Sequence, residues 1–126
     1  MRTIRILLVD DNASFLEAAA RYLASDKKIE IVGRLSSSRE AMDQLHSLRP
    51  DLIIMDLAMP TINGLEATRS IKALPNAPRV IILTLHDNPE YRSASQAVLA
   101  DGFVAKSEFG AQLIPLIHSL FSTQEA

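Results

Sequence analysis

Short apolar runs recur along this chain and alternate with stretches in which apolar residues fall three or four apart. The runs are Ile6 to Val9, Ile29 to Val32, Leu52 to Met55, Val80 to Leu83 and Phe103 to Ala105. Each is brief and most are rich in Ile, Val and Leu. A half-exposed strand would alternate apolar with polar residues, so these runs predict strands covered on both faces. Between them Phe15, Ala19, Tyr22 and Leu23, then Ala41, Met42, Leu45 and Leu48, and then Leu65, Thr68 and Ile71 recur at helical spacing.

Two helix starts are legible from capping chemistry. Ser37 stands three residues before Glu40, which predicts a capping box in which each side chain satisfies a free backbone N–H. Asn88 followed by Pro89 places a side-chain cap before a residue whose missing N–H costs nothing at the first helical position. Five strand-then-helix units follow one another with no linker, repeat or low-complexity segment. Right-handed crossovers then make an α/β fold, a five-stranded parallel sheet with helices on both faces.

At 126 residues the chain suits one domain, expected over 1–122 with 123–126 as a tail or the start of a linker. A composition of 48% hydrophobic and 22% charged residues is ordinary for a globular protein and far from that of a disordered one. No apolar run is long enough to span a bilayer, and the absence of cysteine excludes disulfides, thiolate metal sites and cysteine nucleophiles. The expected location is cytoplasmic, with no membrane partner. A net charge of −2 argues against direct nucleic-acid binding by this domain, because gripping phosphates takes a clustered Lys/Arg excess.

Open parallel sheets bind ligands at the carboxyl ends of their strands. Read in that order, the chain presents Asp10 and Asp11 after the first run, Asp56 after the third, Thr84 at the end of the fourth and Lys106 after the fifth. Taken singly, an Asp there is usually a turn former or helix cap, and a Thr or Lys is usually structural or solvated. Together they form one chemical set. Three carboxylates on one edge either raise a pKa or recruit a cation, and a hard cation such as Mg²⁺ takes one or two carboxylates plus phosphate oxygens. With Lys106 sharing the neutralisation of a phosphoryl group, Asp56 is the candidate nucleophile toward phosphorus, and the hydroxyl of Thr84 a candidate donor to a phosphoryl oxygen.

The motifs ILLVDDN at 6–12, RPDLIIMDLAMP at 49–60, NGLEA at 63–67, VIILT at 80–84 and DGFVAKS at 101–107 resemble the receiver domains of two-component response regulators, over nearly the whole chain. Within that family the pattern is most similar to receivers that precede a helix-turn-helix DNA-binding domain. The resemblance implies a flavodoxin-like fold with strand order 2-1-3-4-5. It implies a switch rather than an enzyme with an external substrate, phosphorylated on Asp56 by a histidine kinase or phosphotransfer protein. It also implies that Asp11 and Asp56 ligate Mg²⁺, that Asp10 acts through the metal's water shell, and that the backbone carbonyl of Ala58 completes the set. Thr84 and Phe103 match the family's switch pair, whose movement alters the surface formed by the fourth helix, fifth strand and last helix.

Three positions depart from common receiver patterns. Ser107 follows Lys106 where many members have a cis-proline, Leu85 follows Thr84 where many have a smaller residue that would not crowd the site, and Phe103 lacks a tyrosine hydroxyl. His86 and Ala58 are expected at the pocket rim with Leu85, where they would tune phosphate lifetime. Gly64 is expected to supply a positive φ in the loop from Pro60 to the next helix.

The last helix carries Leu113, Ile114, Leu116, Ile117, Leu120 and Phe121, apolar around more than one stripe, with Pro115 expected to bend or delay it. An outward apolar face predicts self-association through Leu113, Leu116, Ile117 and Leu120, beside Ala18, Ala19 and Ala20. Nothing after this helix is long enough for an output domain, which points to a domain excised from a longer regulator or to a stand-alone one. Two other classes share parts of the pattern. A haloacid-dehalogenase-type phosphatase uses Asp, Thr, Lys and Mg²⁺, but its nucleophile lies on the first strand in a D-x-D pattern, whereas Asp10 and Asp11 are adjacent. A phosphorylation-independent interaction module would keep the fold and signal by binding alone.

Overall fold

The computed structural model describes residues 3–57, 64–85 and 87–122. Ala58, His86 and the tail at 123–126 lie outside the described residues. The elements run β1 (Ile4–Val9), α1 (Ala13–Ala24), β2 (Ile29–Leu35), α2 (Ser38–Leu48), β3 (Leu52–Met55), α3 (Gly64–Lys72), β4 (Arg79–Thr84), α4 (Pro89–Ala97), β5 (Gly102–Ala105), a short 3₁₀ turn at Lys106–Glu108 and α5 (Phe109–Phe121). All strand pairs are parallel, in the order β2-β1-β3-β4-β5. The apolar runs therefore mark all five strands, with β1, β2, β4 and β5 extended by one to three residues.

Successive residues of a strand point to opposite faces, and here both faces are dry. Ile6, Leu8, Ile54, Ile81 and Leu83 pack under α1 and α5 with Leu16, Leu23, Leu113 and Ile117. Leu7, Val9, Ile53, Met55, Val80 and Ile82 pack on the other face with Ala41, Ala67 and Ile71 of α2 and α3. Continuous burial on two sides is why these runs lack the alternation of a one-sided sheet.

The caps form with one difference. Asn12 accepts the N–H of Phe15, and Asn88 accepts that of Tyr91 ahead of Pro89. Ser37 accepts the N–H of Glu40, but the Glu40 carboxylate takes the hydroxyls of Ser36 at 2.9 Å and Ser37 at 3.3 Å. Two adjacent serines offer it hydroxyls, and these replace the backbone half of the expected box.

The last helix corrects the expected interface. Leu113 and Ile117 are 0% exposed, and Leu116 and Leu120 are half-buried against the same core. Leu116 fills the space left by the missing side chain of Gly102, where a Cβ would come within 2.8 Å of its Cδ2. The start of α5 is held by α1, where the Tyr22 hydroxyl donates to the Gly110 carbonyl at 3.0 Å and the Tyr22 ring packs edge-on to Phe109. Ala19 is likewise buried in the core. Pro115 sits within α5 without ending it. The carbonyl it fails to engage belongs to Ala111, which is exposed and open to water.

Candidate functional site

The first loop is built by β1 and the start of α1. The N–H of Asp10 continues the ladder to Leu35, and its Oδ1 accepts the N–H of Asn12 at 2.9 Å, so the carboxylate is oriented before α1 begins. Asp56 leaves β3 with its N–H still bonded to the Val9 carbonyl at 3.0 Å. Adjacent parallel strands thus carry the two side chains to one edge. One carboxylate oxygen from each of Asp10, Asp11 and Asp56 lies within 4.8 Å of the others. Asp10 and Asp56 are buried at 3% and 6% exposure, while Asp11 is exposed.

Lys106, at the end of β5, reaches into this group. Its Nζ stands 2.6 Å from Asp10 Oδ2 and 3.7 Å from Asp56 Oδ2, and it lies 4.4 Å from the centre of the Phe15 ring. One ammonium therefore serves the two buried carboxylates and sits closer to Asp10 than to Asp56. The donor set is all oxygen, two-thirds buried and open on the Asp11 side. That suits a hard divalent cation that keeps part of its water shell.

Thr84 ends β4 fully buried, and Phe103 lies half-buried on the same face of the sheet. The register explains this: Ile82 pairs with Phe103 and Thr84 with Ala105, so the two residues share a face one pleat apart. Leu85, just past Thr84, is 75% exposed. No cis peptide occurs among the described residues, and Ser107 lies within the 3₁₀ turn.

Gly64 needs a different explanation from the one its loop suggested. No described glycine has a positive φ. Its N–H donates to the Leu57 carbonyl at 2.9 Å, and a Cβ would overlap the Asp56 carbonyl oxygen and lie 2.9 Å from its carbon. The start of α3 is packed against the backbone of Asp56, and only a residue with no side chain permits that approach. Two further side chains at the site escaped sequence reasoning. Phe15 carries a helical core signal that says nothing of its contact with Lys106. Arg92 lies over the Phe103 ring at 4.6 Å and pairs with Asp87.

Residues 6–118 match the response regulator receiver domain family. A response regulator protein VraR of Staphylococcus saprophyticus is 33% identical over 124 residues, covering 96% of this chain and 58% of that protein. The crystal structure of a LuxR-family two-component response regulator from an Aurantimonas species superposes with a TM-score of 0.90 at 30% identity, covering 96% of this chain and 86% of that one. The signal receiver domain of NarL from Mycobacterium tuberculosis, at 21% identity and a TM-score of 0.84, covers 100% of this chain and 99% of its own, and shares the fold. The chain spans about half the length of the curated relatives it matches.

Proposed function

This chain belongs to the response regulator receiver family, and we propose that within it Asp56 accepts a phosphoryl group from a histidine kinase or phosphotransfer protein. The observation that carries this reading is the convergence of Asp10, Asp11 and Asp56 within 4.8 Å around a single lysine.

Asp11 and Asp56 would hold Mg²⁺, with the Ala58 carbonyl as a further ligand and Asp10 acting through the ion's water shell. When bound, the ion supplies positive charge against the oxygens of the incoming phosphoryl group. An Asp56 carboxylate oxygen forms the new bond to phosphorus as the bond from phosphorus to the donor's nitrogen or oxygen breaks. That donor atom leaves with the electron pair and takes a proton from solvent. Lys106 turns from Asp10 to a phosphoryl oxygen, which its position between the two carboxylates makes a short movement. Thr84 donates its hydroxyl to another oxygen, and Phe103 follows on the same sheet face, altering the surface around α4, β5 and α5. No described helix is long and apolar enough to cross a membrane. The reading places the chain in the cytoplasm, acting as a switch on an output such as DNA binding that lies elsewhere in a longer regulator.

The test is direct. Incubated with Mg²⁺ and acetyl phosphate, the chain should gain the mass of one phosphate, and Asp56→Asn should gain none. A folded chain that gains nothing from any donor overturns the proposal. Turnover of small phosphate esters would favour the phosphatase reading instead.

A further inference from the structure

The helix α4 is held more thinly than its neighbours. Among its residues only Ser95 is buried, and that hydroxyl is spent on the helix's own Tyr91 carbonyl at 2.8 Å. Val98, just past its end, is the apolar anchor. An element with few buried apolar contacts opens and shifts at low cost, so the contacts it does make carry unusual weight.

One of those contacts is to the aromatic ring assigned to the switch. The Arg92 guanidinium carbon lies 4.6 Å from the centre of the Phe103 ring. Two nitrogens of the same guanidinium engage Asp87, Nε at 2.7 Å from Oδ1 and a terminal nitrogen at 3.2 Å from Oδ2. This planar fork fixes the plane that faces the ring, which a lysine would not do. Asp87 stands three residues beyond Thr84, in the loop that carries the β4 end into α4. The pairing with Arg92 holds the Asp87 carboxyl below its ordinary range and raises the Arg92 pKa, as an engaged ion pair should.

We propose that Arg92 is a positioning residue that latches the Phe103 ring in its half-exposed place and, through Asp87, ties that ring to the loop following Thr84. The inference rests on the reading that Thr84 and Phe103 rearrange when Asp56 is modified. Inward movement of the ring strips it from the guanidinium, and movement of the Thr84 loop pulls Asp87 from the fork. Either event weakens the other contact, so the two parts of the switch move together. A surface cation–π contact biases such an equilibrium by about two- to fivefold.

Two measurements on the full chain test this. Without ligand, NMR should show the Arg92 side-chain protons shifted upfield by the ring, with the shift abolished in Phe103→Leu and reduced in Asp87→Ala. Unshifted protons would overturn the latch. With Mg²⁺ and beryllofluoride as the phosphoryl stand-in, calorimetry should find Arg92→Ala binding about two- to fivefold tighter, because the latch opposes the bound state. The same substitution in a Phe103→Leu background should change nothing. An unchanged or weaker constant in Arg92→Ala, or equal tightening without the ring, overturns the latch while the acceptor reading stands. Absence of binding by the unaltered chain overturns the acceptor reading, and the regulatory role of the latch with it.

Discussion

The two edges of the sheet treat buried charge in opposite ways. At the amino edge Asp101 accepts Lys72 Nζ at 2.9 Å and the Val80 N–H at 2.8 Å, with Arg79 at 3.6 Å, so one carboxylate has two cations and a backbone donor. Asp51 on the same edge accepts the Arg5 N–H at 2.9 Å. At the carboxyl edge Asp10 and Asp56 share Lys106, with the Asp11 carboxylate within 4.8 Å of theirs. The first arrangement is electrically settled and ties α3, β4 and β5 together. The second crowds three carboxylates together, and a site so built gains from a metal ion and a transferred group. Stability and reactivity are thus assigned to opposite ends of the same strands.

The sharpest way to break this contrast is Asp101→Ala, which strands Lys72 and the Val80 N–H in a mostly buried setting. It should cost about 2–3 kcal/mol in urea unfolding, and a loss below about 1 kcal/mol would show that the amino edge is not settled by this carboxylate. Next is Lys106→Met, which removes the cation paired with Asp10 and Asp56. It should cost about 2 kcal/mol and suppress incorporation of phosphate as read by intact mass. Mg²⁺ at tenfold its dissociation constant should raise stability by about 1.4 kcal/mol in thermal unfolding, an effect lost in Asp11→Asn. Replacing a carboxylate where carboxylates are in excess should help: Asp56→Asn should stabilise the metal-free chain by about 0.5–1 kcal/mol while abolishing acceptance. A destabilised Asp56→Asn would mean that the crowding of carboxylates at this edge is not unfavourable.

The smallest expected effect lies in the turn from α1 into β2. Asp26 is held below the usual carboxylate range first by the Lys28 N–H at 2.8 Å and then by His118, whose Nε2 stands 2.6 Å from Oδ2. A depressed folded-state pKa gives stability that is fully present above the unfolded value near 4 and is lost as pH falls through the folded value. With the His118 ring 38% exposed, the contribution should be about 0.2–1 kcal/mol, measured as the difference between the native chain and Asp26→Asn in unfolding at pH 7, and it should vanish near pH 2.

Much of this was legible in the residue order because it is local. Strand runs, helical spacing and the caps at Ser37 and Asn88 depend on neighbours a few residues apart. The acidic set was legible for a related reason: in a parallel sheet, position just after a strand is position on one edge, so Asp10, Asp56 and Lys106 had to meet. Gly64 was misread because its constraint is the Asp56 backbone rather than its own φ. The outward face of α5 was misread because periodicity counts apolar positions and cannot tell which of several neighbours will cover them.

By itself, then, the order of residues determined the five strands, the helices between them and the chemical identity of the edge where their carboxyl ends gather. Only the folded chain decided that Lys106 stands nearer Asp10 than Asp56, that Leu116 fills the hollow at Gly102, and that Arg92 covers Phe103. These are distances between side chains far apart in sequence, set by register and packing among several elements at once. No local pattern encodes them.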